Sequence, residues 1–224
     1  MRGHMTMLAR PVQVRAGAVL IDGDLTIPPR AAGLVLFAHG SGSSRFSGRN
    51  RAVAQALEDA GFATLLLDLL TPGEEAIDLR TCEYRFDIDR LAERVVAAID
   101  WAVVESAISE LPFACFGAST GAAAALIAAA ERPSDVSAVI SRGGRPDLAA
   151  GALPRVQAPT LLIVGGADDI VIELNRTAMR RMQAHVELEI VPGATHLFEE
   201  PGTLEQVSRL AVTWCRRYFP RSRR

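Results

Sequence analysis

Apolar residues in this chain gather into short, nearly unbroken runs separated by longer stretches of mixed character. Gly33–Ala38, Phe62–Leu67, Phe113–Ala118, Val136–Ser141 and Pro159–Val164 are runs of this kind, and Val186–Val191 follows them. Runs of this length and apolarity are what a strand buried on both faces of a parallel sheet requires. The stretches between them carry helical spacing. Ile88, Leu91, Val95, Ala98, Ile99 and Ala102 make one apolar stripe through a helix predicted over Phe86–Ser106. Further helices are predicted over Arg51–Ala60, with Gly61 closing it, after Ser119 to Ala130, over Ile172–Met182 and over Leu204–Tyr218. At the start, Val12–Val14 and Ala18–Leu25 predict two antiparallel edge strands, with Asp22-Gly23 available for a turn. Leu70–Arg85 breaks the rhythm. It is polar and opens with Thr71-Pro-Gly-Glu-Glu75, which reads as turn chemistry in an excursion over the strand ends. Strand and helix alternate along the chain, so the fold class is α/β: a mostly parallel sheet with helices on both faces.

Composition narrows this little. The 224 residues suit one domain, 1–224, with 49% apolar and 22% charged residues as in ordinary globular proteins. Residues 1–6 contain Met1-Arg-Gly-His-Met5, which reads as an added tag and plays no part in the fold. A net charge of −2 gives no electrostatic footprint for nucleic acid or an anionic membrane. Cys82, Cys115 and Cys215 lie far apart with no C-x-x-C, which argues against a disulfide framework or a metal site. No signal-like or membrane-spanning segment stands out, so a cytoplasmic protein, monomer or homodimer, is expected.

The chemistry concentrates at the carboxyl ends of the predicted strands, where sites form in such sheets. Gly117-Ala-Ser-Thr-Gly121 fits G-x-S-x-G between a strand and an alanine-rich helix, the context in which a serine sits on a sharp turn with its hydroxyl exposed. A serine hydroxyl needs a base to act as nucleophile at neutral pH, and that base needs a carboxylate to orient it. His196 follows the last strand, whereas His185 precedes that strand, at the wrong end of the sheet. For the acid, Asp168 and Asp169 compete. A G-x-x-D-x-x-V pattern through Gly165, Asp168 and Val171 favours Asp168 and leaves Asp169 as a turn or cap residue. The backbone N–H groups of Ser41, after His39-Gly40, and of Thr120 are the expected donors to an oxyanion. Arg142, at a strand end beside the nucleophile strand, and Arg45 are the candidates to hold a substrate carboxylate; a salt bridge from Arg142 to Glu74, Glu75 or Asp147 is the structural alternative.

These pieces together resemble an α/β-hydrolase of the dienelactone hydrolase-like group. The resemblance is carried by His39-Gly-Ser-Gly-Ser-Ser44 with Arg49-Asn50, Gly117–Gly121, Ser141-Arg-Gly-Gly-Arg-Pro-Asp147, Val164-Gly-Gly-Ala-Asp168 and Pro192-Gly-Ala-Thr-His196. It implies a Ser119–Asp168–His196 triad, no cofactor and a small-molecule ester as the partner. Some proteins with this type of domain carry it fused to a phosphoribosyltransferase domain, and these residues are expected to hold the hydrolase-like unit alone. Dienelactone hydrolases proper use cysteine as nucleophile. Ser119 therefore shifts the expectation from dienelactone to general carboxylic esters. The stretch from Arg142 to Pro159 is too short for a large cap domain, which implies an open site. An acyltransferase with the same triad, or a ligand receptor on a hydrolase scaffold, are the rival readings.

Overall fold

The computed structural model describes residues 7–219. Eight strands form one sheet in the order β1-β2-β4-β3-β5-β6-β7-β8. β1 (Leu8–Ala16) and β2 (Val19–Ile27) form an antiparallel hairpin, and β2 pairs antiparallel with β4 (Ala63–Leu67). From there β3 (Leu34–Ala38), β5 (Phe113–Ala118), β6 (Val136–Arg142), β7 (Thr160–Gly165) and β8 (Val186–Val191) continue in parallel. The α/β class and the mostly parallel sheet are as the apolar runs predict. Every residue of β3, β4, β5 and β7 is buried, which is why those runs lack polar alternation.

The hairpin differs from the expectation in part. Its turn falls at Gly17, between the two predicted strands, where φ is +61°, but β1 runs well past its predicted ends. Asp22-Gly23 lies inside β2, where Gly23 pairs with Leu67 and a Cβ would sit 3.0 Å from that leucine's side chain. Glycine there serves close packing rather than a turn.

Two cores lie on opposite faces of the sheet. α1 (Gly48–Asp59) and α6 (Thr203–Tyr218) pack together on one face, over Val35, Phe37, Phe116, Ile140 and Ile163. α3 (Ile88–Val104) and α4 (Thr120–Glu131) cover the other, over Leu36, Leu65, Cys115 and Val139. α4 is buried almost all round, and its alanines let it sit tightly between sheet and neighbouring helices. α5 (Asp169–Met179) lies beside β7 and β8.

The Leu70–Arg85 excursion holds a helix that the turn-like residues hid: α2 (Pro72–Thr81). Thr71 accepts from Glu74 N–H, and the Glu74 carboxylate accepts from Thr71 N–H, a reciprocal cap with proline at the first helical position. Between Arg142 and Pro159 the chain makes only two short 3-10 turns, Pro146–Ala149 and Leu153–Arg155, so no large cap domain is inserted there.

Candidate active site

Ser119 sits at the β5–α4 junction with φ +51° and ψ −121°, outside the regions an L-residue ordinarily occupies. The tight turn needs its glycines. A Cβ on Gly117 would come within 2.3 Å of Ala122 Cα, and one on Gly121 within 2.3 Å of the Ala38 carbonyl oxygen. Gly40 completes the fit, since a Cβ there would lie 3.0 Å from Ser119 Cβ. Strain of this kind persists only where packing over-determines it, and the buried neighbours Ala118, Thr120 and Ala122 supply that packing.

His196 lies between Ser119 and Asp168. Its Nε2 is 3.4 Å from Ser119 Oγ, and its Nδ1 is 2.7 Å from Asp168 Oδ2. The arrangement is that of a serine hydroxyl facing a base, with the base's second nitrogen donating to a carboxylate; the longer serine contact is usual before substrate arrives. The loop that presents His196 is pinned by Phe198, which is 1% exposed in the α1–α6 core despite a left-handed backbone of φ +57°. Thr195 N–H donates to Glu200 at 3.1 Å and braces the same loop. The chain thus brings Ser119, His196 and Asp168 together. Asp169 is the first residue of α5 and makes no hydrogen bond or ion pair with His196.

On the other side of Ser119 is the His39–Ser44 loop. Ser41 Oγ lies 3.0 Å from Thr120 Oγ1, which sets the two segments side by side. Thr120 opens α4, so its N–H has no helical acceptor. Among the described residues, neither that N–H nor the N–H of Ser41 finds a protein acceptor. His39, which the sequence offers only as the start of this loop, holds it in place. It is 7% exposed; its Nε2 accepts from Leu69 N–H at 3.0 Å while Nδ1 donates to Gly40 carbonyl at 2.9 Å. Burial lowers its pKa, so the imidazole is neutral, as those two bonds require.

The two candidate arginines fare differently from each other. Arg45 is bound by Asp68 at the end of β4, through both its backbone N–H and its guanidinium, with Asp22 and Asp24 within ion-pair range. Those carboxylates occupy it, and it ties the loop to the strand ends. Arg142 forms none of the salt bridges considered: Glu74 pairs with Arg90 and Arg94, and Asp147 with Arg145. A narrow crevice runs from Ser41 toward α2, with Leu70, Leu79 and Leu91 as its apolar wall and Asp68, Asp78 and Arg85 at its polar side. Cys82 is exposed at the end of α2, and Cys115 is buried within β5.

Among the described residues no group of histidine, cysteine, aspartate and glutamate has metal-holding geometry, and no helix is long and apolar enough to cross a membrane. The sheet order and the serine turn define the α/β-hydrolase fold. Residues 21–214 match the dienelactone hydrolase family, and the chain belongs to it. Among solved structures, a dienelactone hydrolase from Anabaena variabilis is 56% identical, covering 96% of this chain and 99% of that one, with a TM-score of 0.94. Est1E from Butyrivibrio proteoclasticus shares the fold at 16% identity and TM-score 0.76, over 93% of this chain and 98% of its own. Two Mycobacterium tuberculosis strains have a curated relative 57% identical over 203 residues, named "Putative phosphoribosyl transferase". The match takes in 91% of this chain but 45% of those relatives, so the chain spans about half their length.

Proposed function

We propose that this protein is a serine hydrolase of small carboxylic esters, with Ser119 as nucleophile, His196 as general base and acid, and Asp168 orienting His196. The observation that carries the reading is His196 placed between Ser119 Oγ and Asp168 Oδ2. Ser119 Oγ attacks the ester carbonyl as His196 Nε2 takes its proton. The oxyanion then meets the N–H groups of Thr120 and Ser41, which have no protein acceptor among the described residues. Collapse expels the alcohol, protonated from His196, and leaves an acyl group on Ser119; water, deprotonated by His196, releases the acid. No step calls for a metal or organic cofactor.

The nucleophile guides the substrate class. A serine in place of a cysteine turns the reading from dienelactone toward ordinary esters, and the narrow crevice beside Ser41 suits small ones. Phosphoribosyl transfer is named for relatives of which this chain matches under half, and the Ser119 geometry offers it no support. The test is covalent. A fluorophosphonate should add its mass to the peptide carrying Ser119 and to no other, and Ser119→Ala should abolish 4-nitrophenyl ester turnover. Labelling at another serine, or unchanged turnover by Ser119→Ala, would sink the assignment.

A further inference from the structure

Ser119 is held by more than its own turn. Its N–H donates to the Arg142 carbonyl at 3.2 Å, and its carbonyl accepts from Arg145 N–H at 3.1 Å as well as from Ala122 N–H. The segment Arg142-Gly-Gly-Arg145, where β6 ends, therefore grips both backbone polar groups of the strained serine. The same turn borders the base. A Cβ on Gly143, where φ is +51°, would lie 3.0 Å from the His196 carbonyl oxygen and 3.6 Å from its ring Cε1. Gly143 N–H donates to the Ile163 carbonyl of β7 at 2.7 Å. Gly144 is packed as closely, since a Cβ there would come within 2.6 Å of Ala122 Cβ in α4.

One side chain ties this turn to the helix that starts beside the acid. Asn175 is fully buried in α5, and its Nδ2 donates to the Gly144 carbonyl at 3.0 Å and to the Val171 carbonyl at 2.8 Å. Both partners are carbonyl oxygens, which only the NH2 end of the amide can serve, so its orientation is fixed. Asp168 stands at the N-cap of α5, and Asn175 lies about two helical turns further along the same face. Among the described residues no other side-chain hydrogen bond joins α5 to the turn. The amide is kept at a cost. Asn175 Oδ1 is buried without a partner, and an unsatisfied acceptor in the interior destabilises a fold. A leucine of the same branched shape would carry no such acceptor.

We propose that Asn175 is a positioning residue. Through Gly144 it fastens the turn that holds the Ser119 backbone to the helix that Asp168 caps, and so keeps the nucleophile in register with its base and acid. The proposal rests on the reading of Ser119 as nucleophile. Asn175 acts through backbone and touches none of the reacting atoms. Its leverage comes from the sensitivity of the site, because a misplacement of about 1 Å can lower a rate on the order of a hundredfold.

Two variants test this. Asn175→Leu keeps the shape and loses both bonds. Asn175→Ser lets the hydroxyl turn back to the Val171 carbonyl one helical turn away, and gives up Gly144 alone. Each should lower kcat on 4-nitrophenyl butyrate by roughly ten- to a hundredfold, with KM changed at most about twofold. Fluorophosphonate addition at Ser119 should slow to the same degree. Hydrogen exchange read by mass spectrometry omits catalysis. It should quicken in the peptides that carry Ser119 and Arg142–Arg145, and stay unchanged in the β1–β2 hairpin. A kcat within about threefold of wild type in either folded variant would overturn the proposal. So would exchange that quickens throughout the molecule, or failure of both variants to fold, since each would make Asn175 a structural residue. If wild type neither turns over the ester nor takes the label, the hydrolase reading fails on its own, and exchange still reports whether Asn175 fastens the turn.

Discussion

At Ser119 the side chain and backbone do different jobs, and each is open to test. The strained backbone presents Oγ, and the glycines around it make room for that turn. Gly121→Ala would place a Cβ 2.3 Å from the Ala38 oxygen and 2.4 Å from that of His39. Both are backbone atoms that cannot swing aside, so unfolding in urea should show a loss of about 1–3 kcal/mol or more, with esterase activity lost alongside. Gly48→Ala, with nothing within 4 Å of its Cβ, should leave stability nearly unchanged. The neighbouring carboxylates divide just as sharply. Asp168 Oδ2 receives the His196 N–H while Asp169 faces solvent in the first turn of α5. Asp168→Asn should lower kcat by roughly 10⁴, the scale set by the corresponding change in a well-studied serine protease. Asp169→Asn should cost about threefold at most. The reverse order in steady-state kinetics would move the acid to Asp169.

The elements show what could be read from the sequence and what could not. Fully buried strands betray themselves because every position must be apolar, so β3, β4, β5 and β7 were legible to within a residue or two. That Ser119, Asp168 and His196 would meet was legible too, because each follows a strand end and motif context narrows the choice. Arg45 and His39 were not. Their roles depend on Asp68 and Leu69, which are distant in sequence and meet them only once β3 and β4 pair. α2 was missed although Thr71-Pro-Gly-Glu74 carries a helix-start signature, because Pro-Gly alone reads as a turn. That helix is held at its far end by Asp78, which accepts from the N–H groups of Tyr84 and Arg85 and from the Arg85 guanidinium. Burial would raise the Asp78 pKa, but those hydrogen bonds outweigh it and hold the carboxyl below its usual value. Asp78→Ala should therefore cost about 3 kcal/mol at pH 7, since it leaves a charge and two N–H groups without an acceptor. A carboxyl with a depressed folded pKa stabilises above its unfolded pKa and loses that contribution as pH falls through the folded value. The gap in stability between wild type and Asp78→Ala should accordingly close only in acid, below the ordinary carboxylate range. A gap independent of pH would show that the side chain packs rather than pairs.

Over the whole molecule, one sheet separates two cores, and β3, β4, β5 and β6 each contribute side chains to both. Neither core can be exposed without breaking the sheet that bounds the other. We therefore expect residues 7–219 to unfold in one cooperative transition, with circular dichroism and tryptophan fluorescence melting together; two separated transitions would divide the chain into domains. Against that cooperative background a single buried charge is measurable. Burial, with the like charge of Arg49 adding to it, lowers the Arg142 pKa to about 10, so its charged form weighs against the folded state. The sign follows from proton binding. Above about pH 10 the unfolded chain holds this proton more tightly than the folded one, so stability rises with pH there, and below it the full cost applies. Arg142→Met removes the charge and keeps an unbranched chain of comparable length. Denaturation at pH 7 should find the variant more stable than wild type, and the difference should shrink as pH rises past 10. A residue kept for the fold would give the opposite result, since its removal should lower stability at every pH.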